Sequence, residues 1–164
     1  IGSGRRIVGH FKHSQLACSR LFSIQKQMNP NQPPKRLQQD IPTRWNSTVA
    51  MLKSLLEQKR ALCAYAADFE LPSTLTVHEW KLVENMISVL DPFDELTKTI
   101  SSSTAAAADV IPSVRALTRL LEKTTETDHG VKTAKATLLE AVKRRFSDIE
   151  SERLYTIATL LDPR

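Results

Sequence analysis

The sequence predicts a mainly α fold with one short strand near its amino terminus. Apolar residues recur at three- and four-residue steps along nearly the whole chain, the spacing of one helix face. Glycine, which punctuates all-β chains, occurs four times in 164 residues, and three of those fall within the first nine positions. A hydrophobic content of 41% over this length supplies a sizeable core.

The elements follow in order. Between Arg5 and Met28 the apolar stripe is Ile7, Phe11, Cys18, Leu21, Ile24 and Met28, with Ser14 filling the one gap, and it predicts a single helix. Asn29-Pro30-Asn31-Gln32-Pro33-Pro34 ends that helix, because prolines remove donors and disfavour α geometry before them. Leu37 to Asp40 reads as a short strand or as an extended loop. A strand here would need a neighbour for its N–H and C=O groups, so sequence upstream is expected to supply a sheet. Pro42 keeps Ile41 extended, and a helix is expected to open at Thr43 and run to about Ala67. Its stripe is Trp45, Val49, Leu52, Leu56, Leu62 or Cys63, and Ala66. Leu71-Pro72-Ser73 closes it. Thr76-Val77-His78-Glu79 is a capping box, in which Thr accepts from the third backbone N–H while Glu reaches back to the cap. The helix it opens carries Trp80, Val83, Ile87, Leu90 and Leu96, and Pro92 is expected to kink it at Asp91. Three further helices are predicted around Ser113 to Lys123, Val131 to Phe146 and Glu152 to Leu161, with a turn at Asp128-His129-Gly130. No internal repeat is visible.

Charge is distributed unevenly. Residues 1–60 hold eleven lysines and arginines against Asp40 and Glu57 alone, whereas residues 61–164 hold twelve against sixteen acids. A basic third of this kind is an electrostatic footprint for a polyanion, most commonly nucleic acid, although a soluble lysine-rich surface has the same composition. No run of about 18 apolar residues exists to span a membrane. The opening Ile1-Gly2-Ser3-Gly4-Arg5-Arg6 lacks both an initiator Met and the apolar stretch of a signal peptide, so the chain is expected to be an internal piece of something longer. Cys18 and Cys63 allow one bridge at most, and a reduced setting is the simpler reading. His10 and His13 share a helix face as a metal pair would, but no Cys or carboxylate stands beside them at ligand spacing. Asp91, Asp94 and Glu95, and likewise Asp148, Glu150 and Glu152, read as solvated acids at helix ends or on exposed faces rather than as catalytic groups.

The most informative stretch is Gln39-Asp40-Ile41-Pro42-Thr43-Arg44-Trp45-Asn46-Ser47-Thr48, followed by Met51-Leu52. An Arg-Trp pair at an exposed helix start can hold a phosphate and stack on a base. The same pair can also anchor the helix to a neighbour. This run resembles the hAT superfamily of DNA transposases, and most closely the zinc finger BED domain-containing proteins derived from them. Val8-Gly9-His10-Phe11-Lys12-His13-Ser14 looks like the helix before the Arg-Trp motif, and Ala158-Thr159-Leu160-Leu161-Asp162-Pro163-Arg164 like the family's Leu-Asp-Pro-Arg box.

The resemblance implies that residues 1–40 are the tail of a ribonuclease H-like core and 41–164 a helical insertion domain, cut at its end. It implies that the chain lies between the second and third catalytic carboxylates, so that it carries no catalytic or metal-binding residue itself. Zinc in a BED finger and divalent ions in the catalytic core belong to the parent protein. DNA is the expected partner and the nucleus the expected location, with a homodimer or higher oligomer formed through segments outside the chain. Neither a membrane nor a small-molecule substrate is expected. Trp45 matches the family tryptophan that stabilises a flipped base, and Val49 stands where an aromatic residue often follows Asn-Ser-Thr. The expected nucleic-acid contacts are Trp45, Arg44, Asn46, Lys35, Arg36, Arg5, Arg6 and Lys12. Three readings stay open: a DNA-interacting module, part of an active transposase, and a helical protein-interaction scaffold acting in transcription regulation.

Overall fold

A computed structural model describes residues 1–125 and 128–162, so Pro163 and Arg164 of the terminal motif lie outside the described residues. The described residues are mostly helical, and the chain divides into two compact units, Ile1–Ile87 and Ser88–Arg164. The junction expected after residue 40 falls inside the first unit.

In the first unit, two polar residues cut helices that the apolar spacing reads as continuous. The stripe from Arg5 to Met28 becomes α1 (Gly2–His13) and α2 (Gln15–Met28). Ser14 adopts an extended backbone, and its hydroxyl accepts from the Ala17 N–H at 3.2 Å. A serine side chain offers the backbone this alternative to a helical bond, so one predicted helix is two. The second expected helix likewise becomes α3 (Trp45–Glu57) and α4 (Lys59–Asp68). Gln58 separates them with φ −97° and ψ 9°. Its buried amide accepts from Gln25 Nε2 at 2.8 Å, which fixes the break against α2.

The core of this unit joins Ile7, Val8 and Phe11 of α1 to Leu21 of α2, Met51, Leu52 and Leu55 of α3, and Leu62 and Tyr65 of α4. Phe11 and Tyr65 meet edge to face at 4.9 Å. Gly4 allows α1 to approach α3, because a Cβ there would stand 3.0 Å from Leu55 Cδ1. Trp80 completes the core from α5 (Val77–Ile100), whose start is the predicted capping box. Glu79 Oε2 accepts from the Thr76 N–H at 2.8 Å, and Thr76 Oγ1 accepts from the Glu79 N–H at 3.2 Å. Pro92 lies inside α5, which continues to Ile100. Of the two residues offered at one stripe position, Leu62 is buried and Cys63 exposed, and Ala66 is exposed as well.

The strand reading of Leu37 to Asp40 needs correction. The segment has no ladder, and the β-type pairing recorded among the described residues is one isolated bridge between Ile41 and Arg44. Side chains take the place of a neighbouring strand. The Gln38 N–H donates to Ser54 Oγ at 3.1 Å, and the Lys35 N–H to Gln25 Oε1 at 2.8 Å.

The second unit contains a 3₁₀ turn (Ala107–Asp109), α6 (Val110–Glu122), α7 (Lys132–Arg145) and α8 (Arg153–Leu161). Ile111, Leu117, Leu121, Val131 and Val142 are buried in it. Asp128 and Lys135 form a buried ion pair at 2.8 Å, and Lys135 Nζ also donates to the Lys123 carbonyl. That ammonium, with the Thr125 N–H, holds the Asp128 carboxyl below its ordinary range. Gly130 takes φ 78°, a conformation that favours glycine, at the predicted turn.

Candidate nucleic-acid interface

The helix expected to open at Thr43 begins two residues later. Arg44, with φ −126° and ψ 99°, is the cap of α3, and Trp45 is its first residue. α3 has no side-chain cap bond, and the turn before it is tied instead by Ser47 of its first turn. Ser47 Oγ accepts from the Ile41 N–H at 2.7 Å, and its hydroxyl hydrogen is shared between the carbonyls of Ile41 and Arg44. The Arg44 N–H closes the turn on the Ile41 carbonyl at 2.8 Å. The turn from Ile41 to Trp45 is thereby fixed while its side chains stay outside. Arg44 is exposed, Asn46 is half-buried, and Trp45 is 44% exposed. Trp80, by contrast, is 5% exposed in the core.

A second set of bonds ties this turn to α1. The side chain of Asp40 is 2% exposed, and its Oδ2 accepts from Arg5 Nε at 2.8 Å and from Thr48 Oγ1 at 3.2 Å. The guanidinium beside it holds the Asp40 carboxyl below the usual carboxylate range, and Asp40 in turn raises Arg5. Residues 40 and 48, on either side of the Arg-Trp pair, thus share one anchor.

The other basic residues assigned to nucleic acid are not gathered in one place. Lys12 and Arg36 line a cleft of about 670 Å³ floored by Val8, Phe11 and Leu21. Lys35, next in sequence to Arg36, faces a different cleft and pairs with Glu57. Arg6 donates to Ser3 Oγ and to Ser73 Oγ. Lys12, Arg36 and Arg44 have no ion pair among the described residues. Sequence reasoning missed Asp40, Ser47 and Thr48 as parts of the site. Ser, Thr and Asp beside a helix start are a local signal, but Arg5 lies 35 residues from Asp40 and nothing local announces it.

His10 Nε2 lies 3.4 Å from the Tyr65 hydroxyl and sits edge-on to the Phe11 and Tyr65 rings. Asp91, Asp94 and Glu95 bring three carboxylates together, and Lys98 Nζ answers Asp94 at 2.9 Å and Glu95 at 3.0 Å. No helix among the described residues is long and apolar enough to cross a membrane.

Residues 1–89 match the family model described as the ZBED1 RNase-like helical domain, a span that nearly coincides with the first compact unit. The chain is 30% identical over 160 residues to human zinc finger BED domain-containing protein 4, covering 98% of this chain and 14% of that protein. It is 32% identical over 177 residues to human zinc finger BED domain-containing protein 6, covering 98% and 17%. The mouse form of protein 6 is 31% identical over the same length and shares. The chain therefore spans less than a fifth of the curated relatives it matches. No solved structure matches it.

Proposed function

Because the chain belongs to the ZBED1 RNase-like helical domain family, we propose that it is the DNA-interacting helical portion of a transposase-derived, BED zinc-finger-type nuclear protein. The observation that carries this reading is the half-exposed indole of Trp45 on the first residue of α3, beside an exposed Arg44 with no acid paired to it among the described residues. A large aromatic at an apolar stripe position is ordinarily buried, and here the packing of α3 is carried by Val49, Met51, Leu52 and Leu55 instead.

In this reading Trp45 stacks on an unpaired or extruded base and Arg44 pairs with the adjoining phosphate. Stacking on an aromatic platform offsets part of the unstacking cost, by about 1–3 kcal/mol per base. Asn46 adds a polar contact beside it, while Lys12 and Arg36 attract the backbone without sequence preference. Residues 1–40 are read as the tail of a ribonuclease H-like core and residues 41–164 as a helical insertion. The chain supplies positioning rather than strand cleavage. Zinc and divalent ions would be held by other parts of a longer parent protein.

Hairpin DNA with an unpaired base at its tip tests the proposal. Trp45→Ala is expected to weaken binding about tenfold, equivalent to about 1.4 kcal/mol, while blunt duplex is held as before. Equal affinity of both forms for the hairpin would leave Trp45 without this role.

A second reading has its own support. The outward face of α8 exposes Leu154, Ile157, Leu160 and Leu161, each more than half accessible. Such a stripe suits helix-to-helix docking in a protein-interaction or dimerisation scaffold. Self-association that persists at high salt would favour this reading, whereas salt-sensitive retention of DNA favours the first.

A further inference from the structure

The geometry points to Asp40 and Arg5 as the positioning pair of the Arg44-Trp45 turn, with Arg5 directing its charge into the protein rather than onto a phosphate. This rests on the DNA reading of Trp45 given above. Asp40 sits one residue before the turn begins, and Thr48 lies three residues past Trp45 on α3. A single oxygen, Asp40 Oδ2, receives Arg5 Nε at 2.8 Å, an Arg5 terminal nitrogen at 2.7 Å and Thr48 Oγ1 at 3.2 Å. The approach to the turn, its exit and helix α1 therefore meet at one nearly inaccessible carboxylate. A buried carboxylate needs its cation and its hydrogen bonds. Without Arg5 the acid would move toward water, and residues 40 and 48 would lose their common anchor. The Ser47 bonds would still close the small turn, but its angle on α1 would no longer be set.

The two roles open to Arg5 predict opposite results. If Arg5 met a phosphate, Asp40→Asn would remove a competing negative charge and strengthen DNA binding. Arg5→Gln would then lower the slope of log affinity against log salt by about one. As a positioning pair, Asp40→Asn and Arg5→Gln each weaken hairpin binding by a similar factor, about three- to tenfold, and the double variant is no worse than either single one. The salt slope stays that of the parent, because no phosphate contact is lost. Arg5→Lys keeps the charge without the two-nitrogen fork and is expected to fall between parent and Arg5→Gln.

The experiment is hairpin titration of the 164-residue chain and these variants at several salt concentrations, paired with ¹⁹F spectra after 5-fluorotryptophan labelling. Two tryptophans give two signals, so Trp80 reports the core while Trp45 reports the turn. Asp40→Asn is expected to shift and broaden the Trp45 signal and leave Trp80 in place. Tighter or unchanged hairpin binding by Asp40→Asn overturns the proposal, as does a shift of both signals together. Should Trp45→Ala bind the hairpin as well as the parent does, the DNA reading falls. The Trp45 signal in Asp40→Asn then decides the positioning role by itself.

Discussion

The two tryptophans show how much the setting of a residue decides. Trp80 packs against the core with Lys59 Nζ 5.4 Å from its ring centre, whereas Trp45 stands at a helix start with nearly half its surface in water. Trp80→Ala is therefore expected to destabilise the chain by about 3–5 kcal/mol, and Trp45→Ala by less than about 1 kcal/mol, measured by urea unfolding. Titration follows the same logic at Asp128, whose carboxyl is held low by Lys135. A depressed folded pKa gives stability that is fully present above the unfolded value of about 3.9 and is lost as pH falls through the folded value. Melting temperature should thus be flat from neutral pH to about pH 5 and fall below about pH 4, and Asp128→Asn should flatten that fall. Lys135→Met would leave Asp128 buried without its cation and should cost about 3 kcal/mol. The sequence marked Asp128 as a turn residue. It could not mark the pair, because lysine seven positions on reads as one more solvated cation on a helix.

Whole elements were legible where periodicity and local capping agree. The Thr76–Glu79 box opens α5 as its spacing requires, and α7 and α8 lie within a residue of their predicted limits. The breaks at Ser14 and Gln58 were not legible, because each rests on a bond that spacing alone does not reveal. Ser14 turns its oxygen to Ala17, and Gln58 is held by Gln25 from another helix. Ser14→Ala should cost about 1 kcal/mol in chemical unfolding, the usual loss for a capping hydroxyl. At Gly4 an added methyl group would meet Leu55 Cδ1 at 3.0 Å, which sets the gain in helix propensity from Gly4→Ala, about 1 kcal/mol, against the shift that Leu55 must make. The Leu37 to Asp40 segment reads as a strand or an extended loop, and the choice was not legible because pairing is a property of neighbours. The Gln38 N–H goes to the Ser54 side chain instead, as the Lys35 N–H just before the segment goes to Gln25.

Over the chain as a whole, the charge asymmetry is real in composition and smaller in effect. The first sixty residues hold two acids, and both are paired: Asp40 with Arg5 and Glu57 with Lys35. Two of the cations assigned to DNA are therefore partly neutralised within the fold. With Lys12, Arg36 and Arg44 as the main phosphate contacts, log affinity should fall against log salt with a slope of about −3, well short of what all eleven basic residues would give. In the proposed function Trp45 meets an unpaired base while the core behind it stays unchanged. The most direct measurement is a ¹⁹F titration of the 5-fluorotryptophan-labelled chain with hairpin DNA carrying an unpaired base, beside a blunt duplex of equal length. The hairpin should shift the Trp45 signal and leave Trp80 unmoved, and the duplex should move neither. A Trp45 signal that stays fixed while the hairpin is bound would contradict base stacking by Trp45.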